Sequence, residues 1–136
     1  MILVDTGPLV AAASRSDAHN AACVAALQAA RPPRLVPGLV IAEVCFLLAR
    51  DGGAAVEAEF LRAFGTGFLN VVDLTTGDLD RCAELVEQYA DLPLGGTDAS
   101  LIALAERLQI IEIATLDHRH FTVVRPRHTD AFTLLP

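Results

Sequence analysis

Three aspartates and one glutamate are spread along the 136-residue chain at positions that favour a metal site: Asp5, Glu43, Asp98 and Asp117. Asp5 and Asp117 each directly follow an apolar run that is typical of a β-strand. Because the carboxyl ends of parallel strands meet at one edge of a sheet, we expect these two side chains to be neighbours. Taken singly, each aspartate fits the capping of a turn or a helix equally well.

Glu43 is the only charged residue between Leu39 and Ala49, in a stretch that is otherwise apolar on every side of a predicted helix. We therefore expect it to be buried, which is costly for an unpaired carboxylate. Such a side chain must be neutral, hydrogen-bonded or paired with a cation, and a metal ion is one such cation. The alternative is a core glutamate whose oxygens are satisfied by the backbone or by an arginine.

Asp98 follows Thr97 at a predicted helix start, where capping and the helix dipole also account for an aspartate. The four acidic residues together are more informative than any one of them. Four carboxylates in one pocket repel one another unless a divalent cation neutralises their charge. An oxygen-only ligand set without His or Cys suits Mg²⁺ or Mn²⁺ rather than zinc.

Short aliphatic strands that alternate with helices are expected to position these side chains. The predicted strands are Ile2–Val4, Leu35–Val36, Phe68–Val72, Ile110–Thr115 and Phe132–Leu135. The predicted helices are one that begins after Asp5, then Ala18–Ala30, Pro37–Gly53, Ala54–Phe64, Thr76–Ala90 and Thr97–Leu108. This alternation predicts an α/β fold whose mostly parallel sheet of four to five strands is flanked by helices on both faces.

The length and composition favour one domain spanning residues 1–136, because 53% hydrophobic residues are enough for a core without disulfides or a structural metal. The three cysteines are odd in number, lie far apart and form no Cys-x-x-Cys pair, so we expect buried thiols. The N-terminus carries no basic leader, and the longest apolar run is interrupted by Glu43. These features predict a cytoplasmic protein without a membrane span.

The formal net charge of −7 argues against nucleic acid as a partner, because phosphate binding depends on Lys and Arg. The basic residues are nevertheless unevenly distributed. The segment from His118 to His128 contains Arg119, Arg125 and Arg127. This locally basic flank can contact RNA phosphates, although each arginine also fits a solvated surface.

Four short motifs give the chain a resemblance to a known family. They are Val4-Asp5-Thr6, Ala42-Glu43-Val44, Thr97-Asp98-Ala99-Ser100-Leu101-Ile102 and Ala114-Thr115-Leu116-Asp117 with Phe121 beyond. Their order, spacing and flanking residues resemble PIN domains of the VapC toxin type. The resemblance spans essentially the whole chain, and the motifs are specific jointly rather than singly.

The resemblance implies a PIN-like fold and a toxin of a type II toxin–antitoxin system, held inactive by a VapB-type antitoxin and assembled as a homodimer. It also implies a Mg²⁺- or Mn²⁺-dependent endoribonuclease that cuts structured RNA such as tRNA or rRNA and leaves a 5′-phosphate. Asp5, Glu43, Asp98 and Asp117 then correspond to the catalytic and metal-binding acids. Thr6 and Thr115 match small hydroxyl positions that orient a carboxylate or a water.

The chain departs from this pattern after Asp117, where it reads His118-Arg119-His120 and many relatives carry a further acidic residue. The departure leaves open how a second metal would be held. Arg119 is the candidate for an RNA contact.

Two alternatives compete with the metal-dependent nuclease. His118 and His120 would share a face of a strand and could serve as the acid and base of a metal-independent ribonuclease. A non-catalytic α/β interaction module could instead use the apolar stripe of Val56, Phe60 and Phe64, which fits the core equally well. A phosphate-handling receiver domain is disfavoured because the chain contains no lysine.

Overall fold

Five short strands form one sheet in the computed structural model, which describes all residues from 1 to 136. They are β1 (Ile2–Val4), β2 (Arg34–Pro37), β3 (Asn70–Val72), β4 (Glu112–Ala114) and β5 (Thr133–Leu135). Their order across the sheet is β3-β2-β1-β4-β5, and every neighbouring pair is parallel. The predicted α/β class and the number of strands are therefore confirmed, with a sheet that is wholly parallel.

Seven helices flank this sheet. They are α1 (Thr6–Ala13), α2 (Asn20–Ala29), α3 (Gly38–Gly52), α4 (Ala54–Gly65), α5 (Thr76–Gln88), α6 (Gly96–Leu108) and α7 (His118–Val123). The first six lie close to their predicted positions. The sequence did not predict α7, because it has only six residues and no apolar repeat long enough to recognise.

The start of α6 differs from its prediction. Gly95 occupies the N-cap position and makes no side-chain capping bond, while Thr97 lies inside the first turn of the helix. Asp98 is therefore an acidic residue of the first helical turn, where the helix dipole favours a negative charge.

The strand order creates a natural place for a site. The chain moves from β1 outward through β2 to β3, then crosses back to β4 beside β1 and moves outward to β5. If these crossovers have the usual right-handed form, the two directions of travel place helices on opposite faces of the sheet. The crevice between β1 and β4 is the switch point, where ligands bind at the carboxyl ends of parallel strands.

The core is one cluster of 27 buried hydrophobic residues around β1, β4 and α6. Seven consecutive residues of α6, Ala99–Ala105, are buried, so this helix is covered on all sides. By contrast, α3 buries only Val40, Val44 and Leu48. That spacing of four residues presents one stripe to the core, with Ile41 and Cys45 partly buried beside it, and leaves Leu39 and Phe46 exposed.

The apolar stripe of α4 belongs largely to this core. Phe60 is buried and meets Phe64 edge to face at a centroid distance of 5.4 Å. Val56 and Phe64 are partly buried against the same cluster. All three cysteines are free thiols, but Cys45 is only partly buried, in contrast to the prediction. None of the helices combines the length and the apolar character needed to cross a bilayer.

Candidate active site

One pocket brings together the four acidic residues that the sequence singled out. Asp5, Glu43, Asp98 and Asp117 all line it, together with Thr6, Gly7 and Leu116. Asp5 follows β1, Asp117 lies beyond β4, Glu43 is on α3 and Asp98 is in the first turn of α6. The pocket thus lies at the carboxyl ends of β1 and β4, where the switch point predicts a site.

Asp5 is the most buried of the four carboxylates, with 6% of its surface exposed. Its Oδ1 accepts a hydrogen bond from the backbone N–H of Thr6 at 2.7 Å, which caps α1. Its Oδ2 accepts one from the Thr115 hydroxyl at 2.7 Å. Burial raises the pKa of Asp5 to about 6, and the charges of Asp98 and Glu43 add to this effect while both hydrogen bonds oppose it.

Glu43 is not buried, and the prediction of its burial was wrong. The residue is exposed on α3, because it lies outside the stripe of this helix that faces the core. Its Oε2 accepts a hydrogen bond from the Thr6 hydroxyl at 3.1 Å. The cost of a buried charge therefore does not explain this glutamate. Its place at the pocket, facing three aspartates, is the reason to keep it as a site residue.

Thr6 and Thr115 both hold side chains of the pocket. The Thr6 hydroxyl donates to Glu43, and the Thr115 hydroxyl donates to Asp5. The Thr115 oxygen also accepts the backbone N–H of Asp117 at 3.0 Å, so one hydroxyl links the two strand-end aspartates. Thr115 has no exposed surface. These contacts match the supporting task that the sequence suggested for the two threonines.

His120 is a member of the acidic cluster that the sequence did not place there. Its Nδ1 lies 2.6 Å from Asp98 Oδ2 and 2.9 Å from Asp117 Oδ2. Burial alone would lower the pKa of His120, but the hydrogen bond to Asp98 and the charges of both aspartates raise it. The side-chain atoms that could hold a metal ion here therefore include one imidazole nitrogen as well as carboxylate oxygens.

Asp98 and Asp117 are the two acids closest to this imidazole. Burial raises the pKa of Asp98, and the charges of Asp117 and Glu43 add to the rise while His120 opposes it. Asp117 both caps a helix and lines the pocket. Its Oδ1 accepts the backbone N–H of His120 at 3.2 Å and caps α7, while the residue also lines the pocket.

The helical form of α7 separates the two histidines. Residues two apart on a helix point to nearly opposite sides, so His118 and His120 do not share a face as they would in a strand. His118 is exposed and does not line the pocket. This corrects the paired-histidine geometry on which a metal-independent ribonuclease would depend.

The arginines of the basic segment from His118 to His128 differ in their contacts. Arg127 is ion-paired with Glu84 at 3.1 Å, whereas Arg119 is exposed, makes no ion pair and lies two residues after Asp117. Of the three arginines, Arg119 is the one nearest in sequence to the pocket residue Asp117.

The residues of the pocket fit a divalent cation. Four carboxylates from separate elements converge there, and the lining contains no Lys or Arg that would neutralise them. The pKa values of Asp5 and Asp98 are raised partly by neighbouring negative charge, which shows that this charge is incompletely compensated. Asp5, Glu43, Asp98 and Asp117 offer carboxylate oxygens, and Asp98, Asp117 and His120 offer a compact group of possible ligand atoms.

Comparison with known proteins agrees with this architecture. The PIN domain family matches residues 2–125, a range that contains all four acidic residues. Ribonuclease VapC26 from Mycobacterium tuberculosis (strain ATCC 25618 / H37Rv) is 29% identical over 135 residues, which are 99% of this chain and 100% of that protein. The crystal structure of Mycobacterium tuberculosis VapC20, a Sarcin-Ricin loop cleaving toxin, has the same fold at a TM-score of 0.78 and 18% identity, over 83% of this chain and 87% of that one. The chain therefore belongs to the PIN domain family and is a VapC-like member of it.

Proposed function

We propose that the chain is the toxin of a type II toxin–antitoxin system and acts in the cytoplasm as a metal-dependent endoribonuclease. It would hydrolyse phosphodiester bonds in structured RNA, either tRNA or rRNA. The observation that carries the proposal is the convergence of Asp5, Glu43, Asp98 and Asp117 on one pocket of a PIN domain. The similarity to a ribonuclease and to a toxin that cleaves the Sarcin-Ricin loop supports RNA as the substrate.

Mg²⁺ or Mn²⁺ is the proposed cofactor, held by the four carboxylates. When bound, such an ion would act as a Lewis acid at the phosphate and make water a stronger nucleophile. The carboxylates keep the pocket negative in the absence of the ion, so they favour its binding.

The chain's own residues keep the acids in position. Asp5 is fixed on both oxygens, by the Thr6 backbone and by Thr115, so its carboxylate cannot rotate freely. Thr6 restrains Glu43, and Asp117 is restrained by the cap that it forms on α7. No side chain is needed as a covalent nucleophile, because water attacks phosphorus and leaves a 5′-phosphate.

Arg119 is the proposed RNA contact. It is exposed on α7, two residues after the pocket residue Asp117, and we expect it to contact a phosphate of a bound strand. The lining of the acidic pocket contains no arginine, which limits its general attraction for RNA and suits a substrate recognised by its folded shape.

A VapB-type antitoxin and a second copy of the chain are the proposed partners. The exposed apolar surface supports both, because Leu39 and Phe46 on α3 are 40% and 65% exposed. A separate apolar pocket is lined by residues of α1, α2 and α4, including Leu9, Leu27 and Phe60. An amphipathic antitoxin helix would bury its apolar face in such a groove.

Cleavage of purified RNA by the Asp98→Asn variant tests the proposed function. We expect the rate to fall by more than about 100-fold, because even residues that only orient a metal ligand cost 10–100-fold. The matched control is Asp91→Asn, since Asp91 is exposed and does not line the pocket. Circular dichroism checks that both variants fold.

The same assay separates the alternatives. Metal-dependent hydrolysis stops in EDTA, resumes with Mg²⁺ or Mn²⁺ and gives 5′-phosphate ends. Cleavage that persists in EDTA and leaves a cyclic 2′,3′-phosphate would contradict the proposal in favour of a histidine-based ribonuclease. Absence of cleavage by the wild-type chain on tRNA and rRNA, with metal present, would favour a non-catalytic interaction module.

A further inference from the structure

We infer that His120 is a metal ligand and that it forms, with Asp98 and Asp117, a mixed nitrogen and oxygen site that favours divalent first-row transition ions over Mg²⁺. The inference rests on the proposed metal-dependent function and specifies the cofactor of that site.

The first support is the position of the imidazole nitrogen. His120 Nδ1 is directed at two carboxylate oxygens at once, at 2.6 Å from Asp98 and 2.9 Å from Asp117. One ligand atom from each of the three residues lies within 4.8 Å of the other two. A ring nitrogen can donate only one proton, so it cannot make full hydrogen bonds to both carboxylates. A cation shared among the three donor atoms would satisfy all of them.

The second support is that the imidazole is held in place before any ion binds. The backbone N–H of His120 donates to Asp117 Oδ1, so the acid that caps α7 also fixes the residue that carries the ring. The carbonyl of Leu92 acts on the ring as a further hydrogen-bond acceptor. Histidines that bind metals are commonly oriented by a carbonyl or carboxylate in this way.

The two sides of the pocket differ in chemistry. The carboxylates of Asp5 and Glu43 receive hydrogen bonds only from backbone N–H and hydroxyl groups. The carboxylates of Asp98 and Asp117 instead face a nitrogen ligand. Mg²⁺ prefers oxygen ligands and water, whereas imidazole suits transition ions, whose affinities for nitrogen sites rise along the series from Mn²⁺ to Cu²⁺.

The test measures the binding of Mn²⁺ and Mg²⁺ to the full chain by isothermal titration calorimetry, without RNA. We expect His120→Gln to weaken Mn²⁺ binding by about tenfold or more, since loss of a ligand costs at least as much as loss of a group that orients one. Mg²⁺ binding should change much less. The matched control is His118→Gln, because His118 is exposed on the same helix and does not belong to the group of possible ligands formed by Asp98, Asp117 and His120.

A spectroscopic measurement needs no variant to be informative. Pulsed electron paramagnetic resonance of Mn²⁺ bound to the wild-type chain should show coupling to a ¹⁴N nucleus. The coupling should persist in His118→Gln and disappear in His120→Gln. Thermal unfolding monitors whether each variant is folded.

Three results would overturn the inference. They are the absence of ¹⁴N coupling in the wild-type chain, coupling that survives in His120→Gln, and a His120→Gln variant that binds Mn²⁺ as tightly as wild type or more tightly. The last result would make His120 a counter-cation that the metal displaces. RNA cleavage without ¹⁴N coupling contradicts only this inference, whereas ¹⁴N-coupled Mn²⁺ on a chain that cleaves no RNA contradicts only the proposed function.

Discussion

At the scale of the residue, Asp5 shows how the site opposes stability. Burial raises its folded pKa from 3.8 to about 6, so the folded chain binds this proton more tightly than the unfolded chain does. Stability therefore falls as the pH rises through that window, and the full penalty is present above about pH 6. Metal-binding sites commonly contain charged side chains that destabilise the folded protein when no metal is bound.

We therefore expect Asp5→Asn to stabilise the metal-free protein. At pH 7 in EDTA the free energy of unfolding in urea should rise by about 1–3 kcal/mol, the equivalent of one to two pKa units. Near pH 4 the two proteins should be equally stable, because the carboxyl is then protonated in the folded state. Asp130→Asn at an exposed residue is the control. A variant less stable than wild type at pH 7 would show that the hydrogen bonds of Asp5 outweigh its burial.

The signals that identified the site differ from residue to residue. Asp5 and Asp117 were placed correctly from a local rule, because each follows an apolar strand and parallel strand ends share an edge. Glu43 was selected for a burial that it does not have. His120 was not placed in the site, because its carboxylate partner Asp98 is 22 residues away and only α7 brings the ring to it.

At the scale of the element, Asp78 joins α5 to α6. Its Oδ2 accepts the backbone N–H of Thr75 at 2.9 Å, and the Thr75 hydroxyl accepts the N–H of Asp78, which forms a capping box at the start of α5. Arg107 Nε lies 3.0 Å from both carboxylate oxygens. Burial alone would raise the pKa of Asp78, but the hydrogen bonds from Arg107 and Thr75 outweigh it and lower that pKa below 3.8.

We expect Asp78→Ala to lower the free energy of unfolding by about 2–3 kcal/mol at pH 7, through loss of the cap and of a charge-assisted hydrogen bond. Because the folded pKa is depressed, this contribution is complete above the unfolded pKa of 3.8 and disappears as the pH falls through the folded pKa. The difference from wild type should therefore shrink below about pH 4. Asp80→Ala, at an exposed position of the same helix, should change stability little. A difference that stays constant in acid would exclude this ionised pair as its source.

The helices that the sequence predicted are those whose signals, such as apolar repeats and end residues, lie within a short stretch of chain. The long helices α3, α4, α5 and α6 have apolar repeats and turn residues at their ends, and each was predicted within a few residues. The α5 helix begins at Thr76 as predicted, although its capping box is formed by Thr75 and Asp78. The start of α6 was misjudged because the chain uses Gly95, which has no side chain to mark the cap.

At the scale of the whole molecule, the exposed apolar face of α3 bears on assembly. Phe46 is 65% exposed, and an uncovered aromatic on an apolar helix is typical of a surface that another chain covers. We expect light scattering to give a mass of about twice 14.4 kDa for the wild-type chain and 14.4 kDa for Phe46→Glu. Leu79→Glu is the matched control, since Leu79 is 49% exposed on α5. A wild-type monomer, or dissociation caused by Leu79→Glu alone, would contradict a dimer formed through α3.

The sequence by itself determined the alternation of strands and helices and the four acidic positions, because apolar spacing, caps and strand ends are read within a few neighbouring residues. Only the tertiary structure decided the strand order, the exposure of Glu43 and the place of His120. These depend on contacts between segments far apart in the chain: β4 pairs with β1, α3 presents one stripe to the core, and α7 turns His120, but not His118, toward Asp98 and Asp117. Burial and partner choice follow from that packing, which no local pattern encodes.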